Sequence, residues 1–499
     1  MVQVYESTRN SKITATASEA VLKGIADDGG LYVLRNLEEK KVQINELQGK
    51  SYKEIAEIIL KIMLNDFPQD KIKACVKNAY RDKFSKEEIT PVVKVGDSYV
   101  LELFHGPTSA FKDVALSILP HLMTTAYQMN NMEGEVIILT ATSGDTGKAA
   151  LEGFKDVEGT KILVFYPEGG VSQVQKTQMV TQEGNNTFVC AIKGNFDDAQ
   201  TGVKEIFSNE KLNKELKAKN RVLSSANSIN VGRLVPQIVY YFYSYMKLVE
   251  KAAINIGDKV NFAVPTGNFG NILAGYYAKV LGLPVNKLIC ASNENNVLYD
   301  FINTGVYNRN REFHKTISPS MDILVSSNLE RLLYYLSGKN NSMVRDFMES
   351  LKSTGRYTIT DEMLKELKED FYGGFVEKEY AEKTIKETFE KYGYLLDTHT
   401  AVAYKTMEDY RKETGDGTAN IVLSTASPYK FSKSVYESLY GSANEDEFEL
   451  MENLSQKTKV KVPANLNNLK NKEVKHSQVC NVNKMEEYVI FASKTQKNK

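Results

Sequence analysis

The feature that most constrains this chain is a regular alternation of short β-rich runs with helical stretches, which begins near Thr90. Strands are predicted at residues 135–139, 161–165, 187–192, 260–264, 287–291 and 420–423. Intervening segments such as 172–181 and 231–247 are long enough for helices. This alternation predicts an α/β fold with a largely parallel sheet, in which ligands bind beyond the carboxyl ends of the strands.

The residues before this region have a different character. Thr16 and Glu19 stand at the spacing of a capping box, and residues 52–64 carry apolar side chains on one helical face. A short extended piece is predicted at residues 31–33. The chain is therefore predicted to divide into a mainly helical amino-terminal domain at residues 1–90, a catalytic α/β domain at residues 91–440 and a carboxyl-terminal segment at residues 441–499.

Composition excludes several classes of partner. The chain has 63 Lys and Arg against 63 Asp and Glu, and a net charge of zero gives no reason to expect binding to nucleic acid or to a membrane surface. The four cysteines are scattered and the five histidines show no ligand spacing, so neither a disulfide framework nor a metal site is predicted. The amino terminus is polar, and no segment approaches the roughly 18 apolar residues of a membrane helix. We therefore expect a cytoplasmic protein.

A lysine with apolar neighbours lies after the strand-like run that ends near residue 103. The segment FHGPTSAFKD, residues 104–113, turns at Gly106-Pro107, and a helix starting at this turn would hold Lys112 about one turn in. Ala110 and Phe111 surround Lys112 with apolar groups, and desolvation lowers the pKa of a lysine and favours its neutral, nucleophilic amine. Such an amine can form a Schiff base, while a surface lysine is the ordinary alternative.

Two strand-to-helix loops have the residues expected of anion sites. The first, TATSGDTG at residues 140–147, brings the Ser143 and Thr146 hydroxyls to the start of a helix, where free N–H groups and the helix dipole attract anions. Its end is similar to a P-loop, but Gly144 stands three residues before Gly147 rather than five. The alternative is an ordinary helix cap.

The second loop is PTGNFGN, residues 265–271, and it follows a buried strand. Gly267 and Gly270 allow backbone N–H groups to approach a phosphate closely. A dinucleotide fingerprint would need three glycines at G-x-G-x-x-G spacing, so nicotinamide or flavin binding is not supported. A plain glycine turn is the alternative here.

Further polar residues complete the predicted site. Thr425 follows the last buried strand, and its hydroxyl can donate a hydrogen bond to a ring nitrogen. Arg233 and Lys193 could meet a substrate phosphate, with a surface role as the alternative for each. We expect Lys112, both loops and Thr425 on one α/β sheet. A phosphorylated aldehyde cofactor together with an amino-acid carboxylate would use all of these groups.

These segments resemble those of the threonine synthase family, which belongs to the fold-type-II pyridoxal-phosphate enzymes. The resemblance runs over nearly the whole chain, and its motifs lie at residues 5–9, 28–33, 105–113, 142–147, 228–234, 236–237 and 265–271. The Lys112 segment together with the 265–271 loop is its most specific part. The resemblance implies a fold-type-II architecture of parallel-sheet subdomains, joined to the mainly helical amino-terminal domain.

The resemblance also implies a cofactor and roles for individual residues. Pyridoxal 5'-phosphate is expected, with Lys112 as both the Schiff-base lysine and the catalytic base. The cofactor-binding residues implied are Lys112, Gly267, Asn268, Phe269, Gly270, Asn271 and Thr425. The substrate-binding residues implied are Ser143, Gly144, Asp145, Thr146 and Arg233. The implied reaction is elimination of phosphate from the γ-carbon of O-phospho-L-homoserine and addition of water at the β-carbon, which gives L-threonine.

Some residues depart from the family pattern near the expected ring-nitrogen contact. Thr398 stands where proline is common, Ser427 where histidine is frequent, and Tyr429 where a small residue is usual. Two alternatives stay open: a serine/threonine dehydratase or phospholyase of the same fold, and a catalytically silent relative, against which the intact Lys112 and Gly267 argue. We expect the enzyme to be a monomer or a homodimer.

Overall fold

The computed structural model describes residues 4–142, 144–169 and 171–495. Its first region combines a small antiparallel sheet with helices. The strands are β1 (Tyr5–Ser7), β2 (Asn10–Ala15) and β3 (Tyr32–Leu34), and the helices are α1 (Ala17–Lys23), α2 (Tyr52–Met63) and α3 (Gln69–Ala79). Strand β1 pairs with both β2 and β3. The mainly helical character is as predicted, but the sheet has two more strands than the single extended piece expected from the sequence.

Local capping explains where the first helices begin. The Thr16 side chain accepts the backbone N–H of Glu19 while the Glu19 carboxylate accepts the N–H of Thr16, which confirms the predicted capping box. Ser51 and Glu54 form the same box at the start of α2. Helix α2 then buries Ile55 and its apolar neighbours in the core, so the apolar face read from the sequence is confirmed.

The strands after residue 90 build two larger sheets and one small pair. They are β4 (Val92–Val95), β5 (Ser98–Glu102), β6 (Glu135–Ala141), β7 (Thr160–Pro167), β8 (Thr187–Lys193), β9 (Arg221–Ser225), β10 (Val260–Pro265), β11 (Val285–Ser292), β12 (Val306–Asn308), β13 (Arg356–Thr358), β14 (Phe371–Phe375), β15 (Ala419–Ser424) and β16 (Gln478–Asn481). The five-stranded sheet has the order β16-β8-β7-β6-β9, and all its pairs are parallel. The six-stranded sheet has the order β14-β11-β10-β15-β5-β4 and is parallel except for the β4–β5 edge.

Helices connect these strands and cover the sheets. They are α4 (Lys112–Leu116), α5 (Leu119–Met129), α6 (Asp145–Phe154), α7 (Gln173–Val180), α8 (Phe196–Ser208), α9 (Glu210–Lys217), α10 (Val231–Glu250), α11 (Gly270–Val280), α12 (Val297–Thr304), α13 (Leu329–Leu336), α14 (Asn341–Ser353), α15 (Asp361–Asp370), α16 (Lys378–Tyr392), α17 (Thr398–Thr414), α18 (Ser432–Tyr440), α19 (Glu447–Thr458) and α20 (Met485–Lys494). In the described part of the chain, no helix has both the length and the apolar character to cross a bilayer.

The two parallel sheets correct one expectation about the site. Strands β7 and β10 are buried along their whole length, which suits strands covered on both faces. The prediction of parallel sheets is confirmed, but placing all the motifs on one sheet was wrong. Strand β6, which leads into residues 142–147, belongs to the five-stranded sheet, whereas β5, β10 and β15 belong to the six-stranded sheet. The site therefore lies between two sheets. The domain boundaries at residues 90 and 440 stay predictions.

Candidate active site

Lys112 is the first residue of α4, at the end of the loop that follows β5. Its side chain is only 13% exposed, and its Nζ lies 3.4 Å from Ser320 Oγ and 4.0 Å from Asp145 Oδ2. The sequence placed Lys112 one turn into a helix that begins near Pro107, and this was wrong, because residues 108–111 form a turn before the helix. The amine is therefore held at the end of a loop, with polar groups in front of it.

Asp113 explains the shape of this loop. Its buried carboxylate accepts hydrogen bonds from the backbone N–H of Thr108 at 2.8 Å and from the Thr108 hydroxyl at 2.6 Å. Gly106 packs against the same carboxyl group, and a Cβ there would stand 2.4 Å from the Asp113 side chain. Burial raises the pKa of Asp113 to about 6, and the bonds to Thr108 oppose that rise. The predicted motif around Lys112 is thus closed by one internal carboxylate.

The electrostatic surroundings of Lys112 favour its neutral amine. Burial lowers the pKa of Lys112 to about 8, the direction that its sequence predicts. The Asp145 carboxylate opposes this shift, whereas the cationic groups of Lys430 and Arg233 add to it. An amine with such a pKa can act as a nucleophile and as a base near neutral pH.

The 265–271 loop is held from outside by hydrogen bonds to its carbonyl groups. The Ser326 hydroxyl donates to the Gly267 carbonyl at 2.7 Å, and Asn328 donates to the Asn268 carbonyl through both its backbone N–H and its side chain. With these carbonyl groups engaged, the loop's N–H groups and the start of α11 are left to bind an anion.

Within this loop, the side chains have different surroundings. Asn268 is exposed. Phe269 has a left-handed backbone, with φ of 64°, and its buried ring packs against Phe371, so only its backbone can serve a ligand. The Asn271 side chain donates to the Pro265 carbonyl at 2.8 Å and closes the loop on itself.

A glycine at position 267 is required by the packing. A Cβ there would stand 2.6 Å from the Ser320 carbonyl oxygen, which is too close for any other residue without a backbone shift. At Gly270 the nearest atom to such a Cβ is 3.5 Å away. A close backbone cradle at a helix start, next to a buried amine of lowered pKa, fits the phosphate and the aldehyde of pyridoxal phosphate.

The 142–147 loop is held differently. Thr142 Oγ1 accepts the backbone N–H groups of Gly144 and Gly147, both at 2.9 Å. Asp145 is buried, and its Oδ1 accepts from Lys430 Nζ at 2.7 Å and from Gln175 Nε2 at 3.0 Å. Burial alone would raise the pKa of Asp145, but the nearby ammonium groups of Lys430 and Lys112 lower it below its ordinary value.

The other predicted residues of this loop add less. Thr146 is half-buried in the first turn of α6. Ser143 lies outside the described residues.

Thr425 is brought to the Lys112 segment by its backbone. Its carbonyl accepts the N–H of Phe111 at 2.8 Å, and Ala426 forms a β-bridge with Ala110. The buried Thr425 thus follows β15 directly beside the loop that carries Lys112.

The two candidate phosphate cations differ in position. Arg233 is buried near the amine of Lys112, where its Nη1 donates to the Ala226 carbonyl while its buried Nε has no hydrogen-bond partner. Lys193, by contrast, is exposed at the end of β8.

Sequence reasoning missed two residues beside Lys112. Lys430 carries the same signal that pointed to Lys112, a lysine flanked by aromatic residues just beyond a strand end, and its side chain is fully buried. Ser320 gave no sequence signal, since it lies in a short 3-10 turn, Pro319–Met321, far in sequence from every motif. His399 Nε2 accepts the backbone N–H of Ser320 at 3.1 Å, and Asp397 holds the other ring nitrogen of His399 at 3.1 Å, so a buried pair fixes the position of Ser320.

Among the described residues, no group of three or more His, Cys, Asp or Glu could hold a metal ion.

Three family models match the chain. The model described as threonine synthase N terminus matches residues 4–80, the pyridoxal-phosphate dependent enzyme model matches residues 87–425, and the model for the threonine synthase C-terminal region matches residues 400–489. Human threonine synthase-like 1 is 39% identical over 85% of this chain, and the chain spans 58% of that relative's length. Threonine synthase of Saccharomyces cerevisiae is 37% identical over 89% of this chain and 90% of its own length.

Solved structures give the same picture. The structure of PLP-bound threonine synthase from Brucella melitensis superposes with a TM-score of 0.87 at 36% identity, covering 99% of this chain and 100% of that one. Yeast threonine synthase reaches the same TM-score of 0.87 at 33% identity, with 99% of both chains covered. The fold class and the family resemblance inferred from the sequence are therefore confirmed.

Proposed function

The chain belongs to the threonine synthase family of pyridoxal-phosphate-dependent enzymes, and we propose that it converts O-phospho-L-homoserine and water into L-threonine and phosphate. The observation that carries this choice of substrate is a buried arginine near the amine of Lys112, Arg233, which has no carboxylate partner among the described residues. The other nearby cation, Lys430, is already paired with Asp145, which leaves the charge of Arg233 without a counterion in the described part of the site. A substrate that brings a phosphate supplies the missing negative charge.

Arg233 is the residue that distinguishes a phosphorylated substrate. No carboxylate pairs with Arg233 within the described residues, and its buried Nε lacks an acceptor. Burial lowers the pKa of Arg233 to about 10, which marks a cation that its surroundings do not neutralise. A planar guanidinium with free donors is suited to phosphate. We assign the γ-phosphate of the substrate to Arg233.

The substrate carboxylate is assigned to the start of α6. The Asp145 carboxylate is already engaged by Lys430 and Gln175, so its side chain is not available to a ligand. The Gly144 N–H is used by Thr142, so the backbone N–H groups of residues 145 and 146 and the dipole of α6 remain for an anion, with the Thr146 hydroxyl beside them. Ser143 is proposed for the same contact from its sequence position.

The same geometry supports our assignment of the cofactor residues. Lys112 would hold pyridoxal phosphate covalently through Nζ, backbone N–H groups of residues 267–271 would hold its phosphate, and the Thr425 hydroxyl would donate to its ring nitrogen. Once bound, the cofactor supplies an electron sink for negative charge next to the amino-bearing carbon. Lys112 Nζ would accept the α-proton and one β-proton, and would return protons to the γ-carbon, which becomes the methyl group of threonine, and to the α-carbon. One amine can serve these steps because its pKa of about 8 lies near neutral pH.

A substrate comparison tests the proposal. The full-length enzyme loaded with pyridoxal phosphate is assayed for phosphate and threonine with O-phospho-L-homoserine, and for ketoacids with L-serine and L-threonine. L-homoserine serves as the control that lacks a phosphate and a good leaving group. We expect kcat/KM for O-phospho-L-homoserine to exceed all others. Faster deamination of serine or threonine would make the protein a dehydratase, and ammonia release from a phosphorylated amine without threonine would make it a phospholyase.

A variant pair tests the assignment of Arg233. Arg233→Gln should raise KM for O-phospho-L-homoserine by roughly 10- to 100-fold, because a charged hydrogen bond is worth about 1.5–3 kcal/mol. Its slow turnover of serine should change little. Arg221→Gln, which removes an arginine that pairs with Glu135, is the matched control. An equal loss of kcat/KM with O-phospho-L-homoserine and with serine would mean that Arg233 does not contact the substrate phosphate.

Three expectations from the sequence stay predictions. We propose that the enzyme acts in the cytoplasm and is a monomer or a homodimer, without nucleic-acid partners. Sedimentation of the loaded enzyme over a range of concentrations would test the oligomeric state.

A further inference from the structure

Lys430 is a fully buried lysine for which the proposed reaction has no use. It lies in the turn after β15, two residues beyond Pro428, and its side chain is 0% exposed. Its Nζ donates to the Thr108 carbonyl at 2.9 Å and pairs with Asp145 Oδ1 at 2.7 Å. Lys430 therefore ties the Lys112 loop of the six-stranded sheet to the anion loop of the five-stranded sheet.

Stability alone does not account for a charge in this position. Moving an ammonium group and a carboxylate out of water costs several kcal/mol for each ion, and apolar replacements of buried ion pairs are often neutral or stabilising. The pair also lies beside a second amine, since Asp145 Oδ2 is 4.0 Å from Lys112 Nζ. Asp145 thus stands between two lysines and can balance the charge of only one.

The geometry shows which lysine Asp145 serves. The contact to Lys430 is a hydrogen-bonded ion pair at 2.7 Å, whereas the contact to Lys112 is long. Gln175 supports the first contact by donating to the same oxygen, Asp145 Oδ1. We propose that Lys430 is a positioning residue that keeps Asp145 as its own counterion, and so leaves the amine of Lys112 free to lose its proton.

The charges around Lys112 determine the direction of the effect. Asp145 and Asp113 attract a proton to Lys112, Lys430 and Arg233 repel it, and the Ser320 hydroxyl is the neutral contact. Without Lys430, Lys112 would be the only lysine paired with the Asp145 carboxylate. One of the two cations that repel a proton from the Lys112 amine would also be absent. Both changes stabilise the protonated amine. The pKa of Lys112, which is about 8, should therefore rise in Lys430→Met by roughly 1 unit or more.

The experiment measures the amine itself. Full-length protein freed of cofactor is labelled with trace acetic anhydride across the pH range in which amines titrate, and the peptide that contains Lys112 is quantified by mass spectrometry. The inference rests on the proposed role of Lys112, but this measurement needs neither cofactor nor substrate. Borohydride reduction of the loaded enzyme and mapping of the modified lysine test that role separately.

Matched variants separate positioning from simple loss of structure. Lys430→Arg keeps the charge and should leave the pKa of Lys112 near its wild-type value. Lys161→Met removes another buried lysine that contacts one carbonyl and one carboxylate, at the amino end of β7 and so at the opposite end of the strands from the site, and should have no effect on Lys112. In the Asp145→Asn background, Lys430→Met should raise the pKa of Lys112 much less than in the wild type.

Two outcomes would overturn the inference. One is an unchanged pKa of Lys112 in Lys430→Met. The other is an equal rise with and without Asp145, which would mean that Lys430 acts on Lys112 by direct repulsion or by excluding water, and not through Asp145. If Lys430→Met does not fold, the pKa of Lys112 can still be compared between Asp145→Asn and the double variant Asp145→Asn with Lys430→Met. A large difference in this pKa between the two variants would contradict a role of Lys430 through Asp145.

Discussion

The two loops beside Lys112 have similar sequences but are held in place by different forces. Both join a buried parallel strand to a helix through glycines. The 265–271 loop is held by neutral hydrogen bonds from Ser326 and Asn328 and by contact with the Ser320 carbonyl. The 142–147 loop depends on a buried ion pair between Asp145 and Lys430.

This difference matches what each loop is proposed to bind. A cofactor stays bound through many turnovers, and a rigid cradle of neutral groups holds it without responding to pH. A substrate arrives and leaves as an anion, and its loop is held by charges that connect it to the catalytic amine. The 265–271 loop should therefore be sensitive to shape, and the 142–147 loop to charge. The predictions below test this contrast, beginning with the residue that both loops serve.

Lys112→Ala should abolish turnover while the fold survives. We expect kcat/KM to fall by at least about 10³, because positioned proton transfer alone contributes roughly 10²–10⁴. The visible absorption of the bound cofactor should also be lost. Lys83→Ala is the control, since burial lowers the pKa of Lys83 too, although Lys83 interacts with Asp113 and is not among the charges that act on Lys112. Retained activity in Lys112→Ala would mean that neither loop is organised around this amine.

Asp145→Asn tests the charged loop through stability. The variant leaves Lys430 buried without its carboxylate, which should cost roughly 3 kcal/mol of unfolding free energy at neutral pH. The pKa of Asp145 is lowered in the folded protein, because Lys430 and Lys112 outweigh the effect of burial. Its contribution is therefore present above the unfolded pKa of about 3.9 and is lost as the pH falls towards the lower folded value.

Denaturant unfolding at several pH values provides the measurement. The difference in unfolding free energy between the wild type and Asp145→Asn should shrink as the pH falls below about 4. Asp97→Asn, at an exposed turn, should show no such trend. A difference that stays constant with pH would mean that the 142–147 loop is held by shape, like its counterpart.

Gly267→Val tests the neutral loop through cofactor affinity. A side chain at position 267 would meet the Ser320 carbonyl, and the backbone shift that relieves this contact would move N–H groups away from the cofactor phosphate. A hydrogen bond to a charged group is worth about 1.5–3 kcal/mol, so the dissociation constant of pyridoxal phosphate should rise roughly 10- to 100-fold. The free energy of unfolding without cofactor should change less. Gly270→Ala has room for its Cβ and should bind nearly as well as the wild type. Equal losses of affinity for pyridoxal phosphate in Gly267→Val and Gly270→Ala would indicate that the cofactor phosphate lies against Gly270 instead.

The sequence predicted the elements of the fold better than their arrangement. Strands such as β10 and β15 are long apolar runs, and local patterns of this kind identify a buried strand without knowledge of its neighbours. The choice of two sheets rather than one depends on which strands pair over long separations, and no local pattern reports that. Strand β16 shows this most clearly, because it joins the five-stranded sheet from nearly the end of the chain.

The site was predictable to the same extent. Motif residues such as Lys112 and Gly267 could be found, since their chemistry needs particular residue types next to a strand end. Ser320 could not be found, because its position depends on a long-range contact with His399. Lys430 carried a usable signal, but a buried charge is recognisable only when its partner is known, and Asp145 is far away in the chain.

Ser326→Ala tests the smallest part of the contrast. The Ser326 hydroxyl donates to the Gly267 carbonyl at 2.7 Å, while its backbone N–H is bonded to the Tyr307 hydroxyl. The variant keeps the second bond and removes the first, which should cost about 0.5–1.5 kcal/mol and weaken cofactor binding roughly 2- to 10-fold. Because both groups are neutral, the loss should not vary with pH.

Ser327→Ala is the matched control for this variant, since the side chain of the half-buried Ser327 makes a long 3.4 Å contact with the Asn268 side chain and none with the Gly267 carbonyl. It should bind the cofactor like the wild type. Equal effects of the two variants, or a loss at Ser326 that varies with pH, would show that neutral bonds do not hold the 265–271 loop. The contrast between the loops would then rest on the shape requirement at Gly267 alone.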